Sequence, residues 1–219
     1  MAVSSASSVS SAGPTGPVGP TGPAGSAGSV GSVVVPPPRV PPERDVRAPW
    51  SHWYEGVLGW KLAGGSPAQL VTGVRFDVLE LPADAGAEVL RRPVPTGPVA
   101  LMGRRMRFLV APGSAEELEG LLDWLEWGGV PLDLVAVGAG GRMTAPVPPG
   151  RPQSPRGAAV WLRPPELGCE ASLPSLPAPG RGTGSGWSSG PGLVRLVAAA
   201  ATECHRARLW RRTPQPLAS

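Results

Sequence analysis

Lysine, cysteine and long apolar segments are what this 219-residue chain has least of. Lys61 is the only lysine, so the other basic residues are all arginines. The two cysteines, Cys169 and Cys204, form no CxxC pair, which excludes a disulfide framework and the usual zinc motifs. The N-terminus has neither a basic segment nor an apolar run of the length that a signal peptide or a membrane span needs. These absences predict a soluble, cytoplasmic protein that has no membrane association.

Glycine and proline are abundant instead. The 31 glycines and 30 prolines make up more than a quarter of the chain, which is typical of low-complexity or disordered segments. In residues 1–49, GPTGPVGPTGPAG is similar to the collagen repeat but holds for too few triplets to form a triple helix. We predict that residues 1–49 form a disordered, Gly/Pro/Ser-rich linker. Its PPPRVPP segment fits the ligands of SH3-like and WW-like domains, so a proline-rich interaction protein is one hypothesis for the function.

Charge is distributed unevenly along the chain. Residues 51–150 carry eight basic and eleven acidic side chains, whereas residues 151–219 carry nine and three. A basic C-terminal third favours an anionic partner such as nucleic acid, and the acidic middle argues against one. The excess of Arg, Ala, Gly and Pro is also what GC-rich codons produce.

The hydrophobic pattern predicts an α+β fold, with a small mixed sheet and packed helices in residues 50–165. LVTGVRFDVLEL alternates as an interior strand, with Val74, Phe76 and Val78 on one face. Further strands are predicted at VALMG with RMRFLVAP, at LDLVAVG and at GAAVWLRPP. A flexible loop at 166–191, a C-terminal helix at 192–212 and a tail at 213–219 complete the predicted organisation.

Two helices have clear sequence signals. In SAEELEGLLDWLEWGG, Ser114 and Glu117 have the spacing of a capping box, and Gly128 is expected to end the helix. Its apolar stripe consists of Leu118, Leu121, Leu122 and Leu125. The C-terminal helix has an Ala-rich centre and one apolar face, formed by Leu193, Leu196, Val197, Ala200 and Cys204.

Five blocks of the sequence, in this order, carry a resemblance to a known family: WYEGVLGW, VTGVRFDVLELPADAG, GPVALMGRRMRFLVAPG, VAVGAGGRMTAPVPPG and GAAVWLRPP. Together they resemble the N-terminal domain of bifunctional DNA primase/polymerase proteins, within the archaeo-eukaryotic primase superfamily. The resemblance implies a primase-polymerase core that is RRM-like. It also implies, for active members, nucleotidyl transfer with Mg²⁺ or Mn²⁺.

The first metal-binding motif of that family, Asp-x-Asp, corresponds here to Glu80 and Pro82. Alternation in a strand places both side chains of such a motif on one face, where two carboxylates can hold a divalent ion. Proline offers no ligand. Asp77 lies three residues before Glu80 and should point to the other face, and Asp84 follows in what we expect to be a loop.

The other two motif positions depart from the family as well. Its catalytic His, which would contact the phosphates of the incoming nucleotide, corresponds to Met106, whose thioether carries no charge. The third acid corresponds to Val135, although Asp133 should face the same side two residues earlier. A lone carboxylate binds Mg²⁺ weakly. We therefore expect no catalytic residues, no bound metal and no cofactor.

The sequence thus predicts a catalytically inactive primase-polymerase-like domain that binds or organises an unidentified protein partner. An association with nucleic acid would depend on the arginines at Arg104, Arg105, Arg107, Arg206, Arg208, Arg211 and Arg212. The alternative is an active or weakly active DNA primase/polymerase that uses Glu80, Asp84 and Asp133 with Mg²⁺ or Mn²⁺.

Overall fold

The computed structural model describes residues 48–150, 157–176 and 192–212. The α-helices are α1 (Ala48–Ser51), α2 (Ala83–Leu90), α3 (Leu118–Trp124) and α4 (Gly192–Arg212), with a π-helical turn at His52–Val57 and a 3-10 turn at Cys169–Ser172. The strands are β1 (Leu62–Ala63), β2 (Gln69–Val71), β3 (Asp77–Pro82), β4 (Val99–Met102), β5 (Arg105–Val110), β6 (Val135–Val137), β7 (Arg142–Thr144) and β8 (Val160–Arg163). The predicted α+β class is confirmed.

The strands form two sheets, and every ladder in them is antiparallel. The smaller sheet has the order β1-β2-β7, and the larger has the order β6-β3-β5-β4-β8. Along the chain, β3, α2, β4, β5, α3 and β6 follow one another as a β-α-β-β-α-β unit. In space, the fourth strand of this unit lies beside its first, then come the third and the second. This is the split β-α-β arrangement of ferredoxin-like domains, extended by β8 beside β4.

One face of the larger sheet is covered by helices. The side chains that β3 and β5 direct to this face, such as Leu79, Leu81 and Phe108, pack against α2, α3 and α4. The contribution of α4 includes the whole predicted stripe, namely Leu193, Leu196, Val197, Ala200 and Cys204. Helix α4 therefore belongs to the same hydrophobic core as the sheet.

The opposite face of the sheet is covered in part, by the aromatic segment that precedes β1. Tyr54 and Trp60 of this segment pack with Phe76, which directly precedes β3, and with Val78 and Leu109 of β3 and β5. The Oη of Tyr54 donates to the carbonyl oxygen of Pro146 (2.6 Å) and accepts from Trp161 Nε1 (3.0 Å). The WYEGVLGW block is thus a structural element, and it leaves the other end of this face open.

Two segments predicted as single strands are each broken by a turn at a glycine. LVTGVRFDVLEL forms β2 and β3, separated by a turn in which Gly73 has φ +85°. Val74 lies in that turn and is exposed, so its predicted place in the core is wrong. VALMG and RMRFLV form the β4–β5 hairpin, which turns at Gly103 (φ +56°). Both glycines adopt the left-handed region that other residues disfavour.

The helix boundaries differ from the prediction in three places. Residues 83–90 form α2, although Asp84 was expected in a loop. Helix α3 begins only at Leu118, without a cap from Ser114, and it ends at Trp124, before Gly128. The turn before it is held by Asp77, whose Oδ2 accepts from the Ala115 N–H (3.0 Å), and burial raises the pKa of this carboxyl. The predicted leucine stripe is confirmed, since Leu118, Leu121, Leu122 and Leu125 all pack in the helical core.

The described part of the loop predicted at 166–191 packs on the core rather than extending from it. Leu173 is buried, and Glu170 Oε1 accepts a hydrogen bond from Trp60 Nε1 (2.7 Å). The predicted tail at 213–219 lies outside the described residues, and so does the predicted linker at 1–49 apart from Ala48 and Pro49. In the part of the chain that is described, no helix is long and apolar enough to cross a membrane.

Gly73→Ala should lower the free energy of unfolding by about 2–4 kcal/mol, because it combines backbone strain with a clash. A Cβ atom at Gly73 would lie 2.2 Å from the Cα of Ala139, which is backbone and cannot rotate away. Gly103→Ala is the matched control, since φ is also positive there but a Cβ would meet nothing within 4 Å. Urea denaturation should give about 1–2 kcal/mol for the control. Equal costs for the two variants would show that the contact with Ala139 is absent.

Candidate functional site

The candidate site lies on the sheet face opposite α2, α3 and α4, beyond the part that the aromatic segment before β1 covers. In the β3–β5 ladder, Glu80 lies opposite Arg107 and Pro82 lies opposite Arg105. Residues that are directly opposite in an antiparallel ladder share a face, so these four side chains lie on one surface. Val135 of β6 lies beside Glu80 on the other side. The register between strands therefore collects the residues that the resemblance assigns to two of the metal motifs.

Two arginines occupy this surface and bind its carboxylates. Arg105 Nε donates to Glu80 Oε1 (3.0 Å), and Arg105 Nη1 donates to Asp133 Oδ1 (2.6 Å). Arg107 Nε donates to the other carboxylate oxygen, Glu80 Oε2 (2.6 Å). We call Glu80, Arg105, Arg107 and Asp133 the arginine–carboxylate network. In it, one guanidinium bridges the two acids, and a second holds the more buried of them.

The network is sheltered enough for its charges to interact strongly. The side chains of Arg107, Glu80 and Arg105 are 15%, 21% and 28% exposed, whereas that of Asp133 is about half exposed. Burial raises the pKa of Glu80, but the hydrogen bonds and charges of Arg107 and Arg105 outweigh it and hold this pKa below its ordinary value. Burial likewise lowers the pKa of Arg105, and Asp133 and Glu80 more than reverse this. Both partners are therefore fully ionised at neutral pH.

The surface does not fit the divalent ions that the resemblance implies. Pro82 and Val135 supply no ligand atom, and the two acids that remain already accept hydrogen bonds from guanidinium groups. A metal ion would have to displace Arg105, which carries its own positive charge and cannot be deprotonated. Among the described residues, no three His, Cys, Asp or Glu side chains lie together as a metal-binding group.

Two other residues predicted from motif spacing lie elsewhere. Met106 is opposite Leu81 and buried in the helical core, so it faces away from Glu80. Alternation in β5 directs Arg105 and Arg107, and not Met106, to the face that carries Glu80. Asp84 lies in the first turn of α2, where its Oδ2 accepts from Arg211 Nη1 (3.0 Å). Asp77 points to the helical face, as expected from its spacing.

Most of the predicted nucleic-acid arginines have partners within the chain. Arg105 and Arg107 belong to the network, Arg206 and Arg211 form ion pairs with Glu203 and Asp84, and Arg208 donates to the carbonyl oxygen of Pro131. Arg104 lies in the exposed β4–β5 turn, and the side chain of Arg212 is outside the described residues. The exposed arginines of this set, Arg104 in the β4–β5 turn and Arg206 and Arg211 on α4, therefore lie on two different elements.

The lowered pKa of Glu80 predicts a pH dependence of stability. Because its carboxylate form is favoured in the folded chain, Glu80 contributes stability above its ordinary pKa of 4.5, and this contribution is lost as the pH falls through the lower folded value. We expect the difference in unfolding free energy between the original chain and Glu80→Gln to shrink between pH 7 and about pH 3. Urea denaturation at several pH values measures it. A difference that does not change with pH would show that Glu80 is not held by the arginines.

Comparison with protein-family models, with curated proteins and with solved structures gives no match to this chain. The resemblance to primase-polymerase domains therefore stays a prediction that depends on the five sequence blocks. What the sequence missed was the pairing of Glu80 with Arg105 and Arg107. The alternation of the two arginines along β5 was a signal for a shared face, but the facing strand and its register were needed to identify the partner.

Proposed function

We propose that this chain is a non-catalytic domain of primase-polymerase-like architecture, which acts by binding and not by nucleotidyl transfer. The observation that carries the proposal is the bridge from Arg105 to Glu80 and Asp133. The guanidinium of Arg105 lies between the two acids that, in an active member of the family, would be expected to hold a metal ion.

A guanidinium can balance the charge of these acids but cannot replace the chemistry of a metal ion. Nucleotidyl transfer uses divalent ions to activate the attacking hydroxyl and to stabilise charge on the leaving phosphate, through ligand positions that stay open to the substrate. The N–H groups of Arg105 are already directed at protein carboxylates. Arg107 donates to the remaining oxygen of Glu80, so both oxygens of this acid already have a guanidinium partner.

The fold is compatible with the proposal. The β-α-β-β-α-β unit has its helices on one face, and the network lies on the other, which these helices leave uncovered. An active polymerase that uses Glu80, Asp84 and Asp133 would need these three acids together. Asp84 is instead paired with Arg211 between α2 and α4.

Primer extension tests the proposal. Purified chain should incorporate no deoxynucleotide on a primed template, and make no primer on a single strand, with either Mg²⁺ or Mn²⁺. Glu80→Gln, which keeps the shape of the side chain but removes its charge, is the control for trace contamination, because a contaminating polymerase would be present in both preparations. Incorporation by the original chain that is lost in both Glu80→Gln and Asp133→Asn would overturn the proposal.

A further inference from the structure

Helix α3 and the residues beside it form a strongly acidic surface. Five acidic side chains are exposed there, which we call the acidic surface: Glu116, Glu117, Glu119, Asp123 and Glu126. None of them forms an ion pair within the part of the chain that the structure describes. Residues 108–141 contain neither Lys nor Arg, so no local counter-charge exists. Glu119 and Asp123 also lie four residues apart on α3, where like charges repel each other.

Trp124 is exposed beside the acidic surface. It follows Asp123 directly on α3, and 71% of the residue is exposed. The face of an indole attracts the cationic groups of Arg and Lys, and Trp and Arg are the residues that contribute most at protein interfaces. The acidic surface with Trp124 therefore fits a partner that presents basic side chains.

Three basic side chains lie at one end of the smaller sheet. Val71 pairs with Arg142 of β7, and its N–H donates to the carbonyl oxygen of Lys61 (3.1 Å). Lys61 and Arg142 thus flank Val71 on one face. Arg75, in the β2–β3 turn, reaches the same end, because its Nη2 lies 3.3 Å from the place that a Cβ atom of Gly59 would take. We call Lys61, Arg75 and Arg142 the basic surface; all three are exposed and form no ion pair within the described ranges.

The acidic and the basic surface adjoin at the turn before β7. On one side of this turn, Glu116 Oε1 lies 3.0 Å from the place that a Cβ atom of Gly138 would take. On the other side, the N–H of Gly141 donates to the carbonyl oxygen of Gly138 (3.0 Å), and Arg142 follows directly. Opposite charges that lie side by side without pairing make a surface that is complementary to a second copy of itself, turned by 180°.

From this arrangement we infer that the chain forms a two-fold symmetric dimer, in which the acidic surface of each copy binds the basic surface of the other. The symmetry forms this contact twice, so the unpaired charges of both surfaces gain partners in one assembly. An arginine of the basic surface lies against the partner's Trp124. A second copy is favoured over nucleic acid, because the acidic surface repels phosphates that approach the basic surface beside it.

Sedimentation velocity of the full chain, over a wide range of protein concentration, tests the inference. We expect a dimer at about 50 mM salt, where charges on two surfaces attract each other with little screening. Raising the salt to about 0.5 M should weaken the dimer by about tenfold or more, because the Debye length then falls to a few Å.

Reversed charges test which surfaces meet. Glu119→Arg with Asp123→Arg makes the acidic surface basic, and Lys61→Glu with Arg142→Glu makes the basic surface acidic. Each double variant alone should dimerise about 100-fold more weakly, because like charges then face each other. An equimolar mixture should dimerise like the original chain, since the two reversed surfaces meet and the two unchanged surfaces meet as well. Thermal melting of each double variant checks that it is folded.

Trp124→Ala tests the aromatic contact. It should weaken the dimer by about tenfold, as truncation of a Trp at an interface commonly does. Leu167→Ala is the matched control, because Leu167 is 77% exposed in the segment after β8 and belongs to neither surface. The control should change the dissociation constant by less than about twofold.

Three results would overturn the inference: a monomer at every concentration at low salt, a dimer that persists in both reversed variants, or a mixture of folded reversed variants that does not dimerise. The first would leave a separate basic protein as the partner of the acidic surface. None of them bears on the proposed loss of catalysis, which concerns the arginine–carboxylate network and is measured by primer extension.

Discussion

Tyr54→Ala should lower the free energy of unfolding by about 3–5 kcal/mol, the range for removing a buried aromatic side chain. Tyr54 is fully buried, and its ring contacts those of Trp53 and Trp60, with centroids 4.6 Å and 6.4 Å away. Alanine would leave a cavity and would also remove the hydroxyl that pairs with Pro146 and Trp161. Since this residue joins the N-terminal segment to the strand β8 and to the turn after β7, its loss should loosen all three.

Tyr54→Phe separates the hydroxyl from the ring. It keeps the packing but leaves the carbonyl oxygen of Pro146 and the indole N–H of Trp161 without a partner, which should cost about 1–3 kcal/mol. Val74→Ala, an exposed position in the β2–β3 turn, should stay within about 0.5 kcal/mol of the original chain. Urea denaturation measures all three variants. If Tyr54→Phe leaves the free energy of unfolding unchanged, the hydroxyl does not form these two buried hydrogen bonds.

Glu80→Ala should have the second large effect, a loss of about 2–3 kcal/mol. The change leaves Arg105 and Arg107 without the carboxylate that both of them bind. Their partly buried positive charges then lose the attraction that compensated for their removal from water. The value is below that of a fully buried pair because water still reaches part of the network. Glu88→Ala is the matched control, since its pair with Arg91 is exposed and should contribute about 0.5 kcal/mol or less.

Replacing the three more buried members of the network tests whether the cost of Glu80→Ala comes from unpaired charge. When Glu80, Arg105 and Arg107 are changed together to Leu, Met and Leu, most of the stability lost in Glu80→Ala should return, because the charge that remains, on Asp133, is about half exposed to water. Thermal or urea denaturation of the single and triple variants measures this. If Glu80→Ala lowers the free energy of unfolding no more than Glu88→Ala does, the ion pairs of the network contribute no more stability than an exposed pair.

The elements predicted best were those whose signal is local. Helix α4 has both an Ala-rich sequence and one continuous apolar face, so its extent and its buried side were clear. Helix α2 was missed because Pro82 before it and Gly86 inside it are typical of a loop. In the structure, Gly86 lies against Met106, where a Cβ atom would be 2.5 Å from Met106 Sδ, so this glycine permits close packing of helix and strand. That contact joins residues 20 positions apart, and nothing in the local sequence indicates it.

The candidate site shows the same limit. Spacing was enough to select Glu80 and Asp133 and to recognise that Pro82 and Val135 cannot bind a metal. It could not show that Arg105 lies between the two acids, because this depends on the register of β5 against β3 and on the position of β6 beside β3. The same register places Met106 in the core. The pairing of each arginine with its acid thus depends on the strand register, which could not be predicted from the sequence alone.

The most direct test of whether Arg105 occupies the place of a metal ion is a Mn²⁺ titration followed by electron paramagnetic resonance, in which the signal of free hydrated Mn²⁺ disappears on binding. We expect the signal in the presence of the chain to match that of buffer up to about 1 mM Mn²⁺, a concentration above the Kd of most functional sites. Binding with a Kd below about 100 µM that is lost in both Glu80→Gln and Asp133→Asn would contradict this, because it would mean that the two acids release Arg105 to hold a metal ion.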